Sequence, residues 1–218
     1  AIFYGAYVAA VPILVTLTDR VDPKRVYLFG VACTVAGHLL FGLLAEGFWS
    51  ALGLRALAGI GWAGTYMTGL KLLADRVNAK LMSRAVTGHA ASIGVSGALS
   101  FSVAGLLAEV FDWRAAFVVA GSSAAAAWLL VALSVPRGSP PAPAADGFKL
   151  FDFRPVFRNR SALAYAIGYC IHTLEMNALR GWGVAFLGYV AIVTGATGSL
   201  LAPTLVLTAL ALIGTAAS

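Results

Sequence analysis

Charge is scarce in this chain, and its scarcity excludes more than any single motif does. Lys, Arg, Asp and Glu make up 11% of the 218 residues, against roughly 25% in soluble globular proteins. With 60% of residues hydrophobic and a mean hydropathy of +0.87, the chain cannot clothe itself in a water-solvated surface. Cysteine is scarce as well. Cys33 and Cys170 are the only two, each deep in an apolar run, which leaves no disulfide framework and no thiolate metal site. A Gly-x-x-x-x-Gly-Lys-Ser/Thr phosphate loop, a His-Glu-x-x-His zinc helix and a Gly-x-Ser-x-Gly elbow are all missing, so nucleotide-driven machinery and the common hydrolase designs are excluded. The chain opens inside an apolar run with no basic segment or small-residue cleavage site, unlike a secretory signal. A continuous basic surface is missing too, despite a net charge of +6. The basic residues stand in separate short loops, which points to membrane topology and not to nucleic acid.

What the chain has instead is long apolar runs. A bilayer core of about 30 Å takes roughly 20 helical residues, and that length divides the chain into candidate spans at about 1 to 18, 26 to 45, 50 to 72, 86 to 108, 115 to 135, 161 to 182 and 197 to 218. Twelve of the fifteen Lys and Arg residues fall in alternate connections: Arg20, Lys24 and Arg25; Lys71, Arg76, Lys80 and Arg84; and Arg137 to Arg160. The positive-inside rule places those loops, 19–25, 71–85 and 136–160, in the cytoplasm. The stretch after residue 182 divides less cleanly. One helix over 161 to 192 would be about 48 Å long; the reading preferred here is a kinked, protruding helix bent at Gly181 and Gly183, the alternative a set of shorter spans.

Pro136-Arg137-Gly138-Ser139-Pro140-Pro141-Ala142-Pro143 reads as a linker. The aromatic and charged run that follows it, Phe148 to Phe157, suits a membrane surface.

Four features resemble the major facilitator superfamily. Val15-Thr16-Leu17-Thr18-Asp19-Arg20-Val21-Asp22-Pro23-Lys24-Arg25 is similar to its Gly-x-Leu-x-Asp-Arg-x-Gly-Arg-Arg loop, departing from it at Val15 and at Asp22-Pro23. Arg55-Ala-Leu-Ala-Gly59-Ile-Gly61-Trp62-Ala-Gly64 resembles the fourth-helix pattern of a buried Arg followed by spaced glycines. Asp112-Trp113-Arg114-Ala-Ala-Phe117 resembles the outer loop before helix six, and the basic linker follows five spans. The family's Gly-Pro-rich antiporter signature is not matched, since Gly94 and Gly97 have no adjoining Pro. The resemblance implies an all-α membrane bundle of two pseudo-symmetric six-helix halves, with this chain covering helices two to eight. Residues 1–135 would be most of the first half, 136–160 the cytoplasmic linker and 161–218 the start of the second half. It further implies that Asp19, Arg20, Lys24 and Arg25 latch the inward side in a state-dependent way; a topology signal alone is the other reading of the same loop.

Within the spans, a few polar residues stand out, because an intramembrane ion is a functional candidate by default. At about 100° per residue, Arg55, Gly59, Trp62 and Tyr66 share one stripe, with Gly61 and Gly64 on the other side. That stripe reads as a cavity lining, or Arg55 as a structural donor to carbonyls; the glycines, with Gly94 and Gly97, read as helix packing positions. Glu175 lies about 21 Å along its helix if that begins at Ser161. It is a proton-binding candidate with His172 and Tyr169 on part of the same face, or a structural partner of Arg180. His38 and His89 read more simply as interhelical donors.

The expected function is secondary active transport of a small solute by alternating access, with H+ as candidate coupling ion and the lipid bilayer as surroundings. No cofactor, metal, nucleic acid or obligate protein partner is implied. Alternatives are a non-transporting sensor or remnant and, more remotely, an intramembrane enzyme. The Ala and Gly richness suits a bacterial plasma membrane.

Overall fold

The computed structural model describes residues 2–138, 154–195 and 201–217. All regular elements among the described residues are helical: α1 (Ile2–Leu17), α2 (Pro23–Leu44), α3 (Phe48–Ala63), α4 (Tyr66–Ala74), a 3-10 turn (Ala79–Leu81), α5 (Met82–Val110), α6 (Trp113–Ser134), α7 (Arg154–Arg158), α8 (Arg160–Val193) and α9 (Leu201–Ala217). Four stretches containing α2, α5, α6 and α8 are long and apolar enough to cross a membrane, and α1 and α9 are shorter apolar helices.

Helix starts follow local capping chemistry, because the first amides of a helix need outside acceptors. Asp22 accepts from Lys24 N at 3.0 Å with Pro23 in the first turn, Asp112 accepts from Ala115 N at 3.0 Å, and Asn159 accepts from Ser161 N and Ala162 N at 3.1 and 3.2 Å. The span expected over 50 to 72 is corrected: it is two helices, parted at Gly64-Thr65. Thr65 Oγ1 bonds back to Trp62 O at 3.0 Å, and Thr68 Oγ1 to Gly64 O, so hydroxyls satisfy the carbonyls beside the break. Helix α8 runs unbroken through Gly181 and Gly183. Its 34 residues come to about 51 Å, far longer than a hydrocarbon core. The proline-rich stretch from Ser139 and the aromatic run up to Phe153 lie outside the described residues.

The chain forms two compact units, one of residues 1–90 and 111–147, the other of 91–110 and 148–218; the later part of α5 therefore groups with α8 and α9. In the first unit, α2 is the central helix, packed by α3 on one side and α6 on another, while α1 lies on α3. Small residues permit these approaches. A Cβ at Gly30 would stand 2.7 Å from Gly64 Cα, one at Gly37 would stand 2.8 Å from Ala58 N, and one at Gly121 would stand 2.7 Å from Leu39 Cγ.

Helices α2 and α6 also cap each other reciprocally. Lys24, in the first turn of α2, donates to the last carbonyls of α6, Ala132 O at 2.8 Å and Val135 O. Arg114, in the first turn of α6, donates to Gly42 O and Ala45 O at the end of α2, both at 3.2 Å. Each cation meets carbonyls that have no intrahelical partner, at the negative end of the other helix's dipole. This antiparallel pairing brings the basic connections of the first unit to one end, as their charge pattern anticipates.

In the second unit, α9 packs on α5 and α8 through small and hydroxylated residues. Thr208 Oγ1 lies 2.5 Å from Ser102 Oγ and 3.1 Å from Ala98 O. Gly94 is covered by Thr215, Gly105 by Thr204 and Gly183 by Leu207.

Candidate functional site

The basic end of the first unit is built around Asp22, a residue that the family pattern does not carry. Its side chain is buried, 4% exposed, and accepts from Lys24 N and, through Oδ2, from Gly138 N at 2.9 Å. Arg76, just past α4, places Nη2 3.9 Å from Asp22 Oδ1 and donates from Nη1 to Pro136 O at 2.8 Å. Of the four expected latch residues, Lys24 is buried in this cluster, whereas Asp19, Arg20 and Arg25 are exposed. Sequence reasoning passed over Asp22 and Arg76 as participants. The signal it could have used is Asp-Pro at a helix start, which marks an N-cap whose second carboxylate oxygen is free for another donor.

The stripe on α3 divides in the structure. Gly59 meets the Phe3 carbonyl of α1, and Trp62 packs on the same helix, 5.6 Å from the Phe3 ring and 4.5 Å from that of Tyr7. Tyr66 continues this aromatic ladder, 6.3 Å from Trp62 and 6.4 Å from His89. Gly61 and Gly64 face α2 at Thr34 and Gly30. Arg55 turns the other way. Its guanidinium lies 4.4 Å from the Phe41 ring centroid and 4.7 Å from that of Phe117, and Nη2 donates to Gly37 O at 3.3 Å. Nε is buried with no hydrogen-bond partner. A long side chain leaves the direction of its own Cβ, so helical phase alone did not locate the charge. Beside it, His38 holds Thr34 O through Nδ1 at 2.9 Å.

A cavity of about 500 Å³ opens at the basic end of the same unit, between α2, α4, the start of α5 and the end of α6. Leu72, Val131 and Pro136 supply apolar walls and Tyr27, Arg76 and His89 the polar groups. None of Arg55, Trp62 and Tyr66 lines it.

In the second unit, α8 carries Tyr169, His172 and Glu175, all exposed. Glu175 lies fifteen residues beyond Arg160, about 22 Å along the helix. No Glu175–Arg180 ion pair occurs among the described residues; Arg180 instead lies against α5, with Nη2 3.9 Å from where a Cβ on Gly97 would stand. Among the described residues no group of three His, Cys, Asp or Glu side chains could hold a metal ion, and Cys33 and Cys170 are unpaired.

Comparison with known proteins agrees with this architecture. Residues 1–218 match the family model described as Major Facilitator Superfamily. Protein spinster homolog 1 of Bos taurus is 27% identical over 208 residues, covering 90% of this chain and 39% of that protein. Human monocarboxylate transporter 11 is 30% identical over 203 residues, covering 84% of this chain and 42% of that protein. The chain thus spans about two fifths of the length of these curated relatives. No solved structure matches at the same stringency. A family match over every residue, on a chain of long apolar helices with the basic connections of its first unit at one end, means that this multi-pass integral membrane chain belongs to the Major Facilitator Superfamily.

Proposed function

We propose that the protein is a secondary active transporter, moving a small solute by alternating access between two six-helix halves. Residues 1–135 belong to the first half, 136–160 to the cytoplasmic linker and 161–218 to the second. Family membership supports the class of activity, since secondary transporters built from repeated helical halves rock those halves around a midplane site. The name of one relative, a monocarboxylate transporter, makes small carboxylates the first solutes to assay.

The observation that carries proton coupling is Glu175. It is exposed in its unit, midway along a 34-residue apolar helix. A carboxyl at that depth is expensive against hydrocarbon, and such residues face bundle interiors or water-filled paths. Glu175 is therefore the group that takes up and releases the coupling proton, with His172 and Tyr169 on the neighbouring surface of α8. In proteoliposomes holding the full-length protein, an inward proton gradient should drive accumulation of the transported carboxylate. The Glu175→Gln variant should lose that accumulation while still exchanging labelled for unlabelled solute. Gradient-driven accumulation at the wild-type level in Glu175→Gln would remove Glu175 from the coupling step; no uptake of any carboxylate by wild type would remove the solute class.

A further inference from the structure

The chain leaves α6 under three separate holds. The Val135 carbonyl receives the Lys24 ammonium, the Pro136 carbonyl accepts Arg76 Nη1 at 2.8 Å, and the Gly138 amide donates to Asp22 Oδ2 at 2.9 Å. The two carboxylate oxygens of Asp22 have different duties. Oδ1 caps α2 at Lys24 N and faces Arg76, whereas Oδ2 binds the linker backbone. Arg76 is shared between the holds, so one guanidinium from the end of α4 both grips Pro136 and supports the carboxylate that grips Gly138. Residue 138 sits where a side chain would intrude: a Cβ there would stand 2.8 Å from Arg76 Nη2 and 3.3 Å from Asp22 Oδ1.

We propose that Asp22 and Arg76 form the buckle of a strap that binds the first linker residues, Pro136 to Gly138, down onto the basic end of the first unit. Displacing the end of α4 from the end of α6 releases it, because withdrawing Arg76 breaks the Pro136 bond and leaves a buried carboxylate without its cation. The strap also borders the cavity at that end, since Arg76, Val135 and Pro136 are among its walls. The resemblance to the family assigns Asp22 no part, because the pattern has glycine at that position.

The exposed Arg137 lies between the two held residues, which makes the strap measurable as protection of the Arg137-Gly138 peptide bond from trypsin. The assay uses the full-length protein in inverted membrane vesicles, with products identified by mass spectrometry. Asp22→Asn keeps an oxygen for the α2 cap, since Asn caps as well as Asp, but turns an NH2 donor toward the Gly138 amide. Losing a hydrogen bond to a charged group should raise cleavage after Arg137 about tenfold, as cleavage tracks the population of the open form. Arg76→Gln should raise it similarly, and cleavage after the exposed Lys80, in the connection between α4 and α5, should stay at the wild-type rate in both. Unchanged cleavage after Arg137 in both variants overturns the strap. If Asp22→Asn loosens every site alike, Arg76→Gln decides: a rise confined to Arg137 supports the strap, and none overturns it.

Discussion

Replacing Gly30 with Leu should abolish recovery of folded protein from the membrane, whereas replacing Gly53 with Leu should leave it near the wild-type level. The two glycines lie in adjacent packed helices and differ in what a side chain would meet. A Cβ on Gly30 would fall 2.7 Å from the Gly64 Cα and equally close to the Gly64 carbonyl oxygen, while one on Gly53 would meet nothing within 4 Å. Backbone cannot turn aside as a side chain can. The α2–α3 pair would have to separate, opening the close approaches of Gly37 to Ala58 and of Gly61 to Thr34 along the same seam. Apolar lipid supplies no hydrophobic drive to bring parted helices back together, so close packing is the principal source of affinity in the bilayer. Overpacking in soluble cores costs about 1 to 3 kcal/mol, and an obstruction made by backbone lies at or above the top of that range. Fluorescence-detected size-exclusion chromatography of the two variants, with a thermal ramp, measures the difference. A monodisperse Gly30→Leu protein melting like wild type would mean that the α2–α3 seam is looser than its geometry indicates.

The second large effect is expected at Arg55. Its guanidinium rests on the neighbouring rings of Phe41 of α2 and Phe117 of α6, whose centroids are 4.5 Å apart, and is bonded to Gly37 O, so one residue of α3 joins two other helices. Each desolvated cation–π interaction is worth about 2 kcal/mol, and Arg55→Ala should lower stability by about 2 to 4 kcal/mol. Arg55→Lys keeps the charge but loses the flat face that stacks on two rings, and should recover only a minor part. Both values come from denaturation of the detergent-solubilised protein. If instead Arg55→Ala melts like wild type and only uptake falls, Arg55 acts on solute and its stacking on the two rings is incidental.

The difference between these residues shows what kind of information each part of the fold needed. Spans, caps and orientation depend on local composition: apolar length against bilayer thickness, an Asp or Asn before a helix, Lys and Arg on alternate sides. The basic connections could therefore be assigned residue by residue, whereas the caps at Asp112 and Asn159 were read only from the structure. The break between α3 and α4 was not legible, because apolar composition continues across Gly64-Thr65 and only the backbone reveals that the helix stops. The partners of Arg55 were not legible either, since helical phase locates a Cβ while a guanidinium reaches several ångströms past it. Asp22 was hidden for a different reason. Its partners Arg76 and Gly138 come from the ends of other helices, and nothing near residue 22 names them.

By itself, then, the sequence determined that this is a helical membrane protein of the Major Facilitator Superfamily, that its basic residues gather in alternate connections, and which few polar residues lie within the apolar runs. Those properties follow from the free energy of moving short segments between water and hydrocarbon, which is close to additive along the chain. Only the tertiary structure decided that Arg55 rests on two adjoining phenylalanines, that Lys24 and Arg114 cap each other's helices, and that Asp22 rather than Asp19 binds the start of the linker. Those pairings depend on distances between segments far apart in the chain, and a charge buried there persists only where such a partner is brought to it.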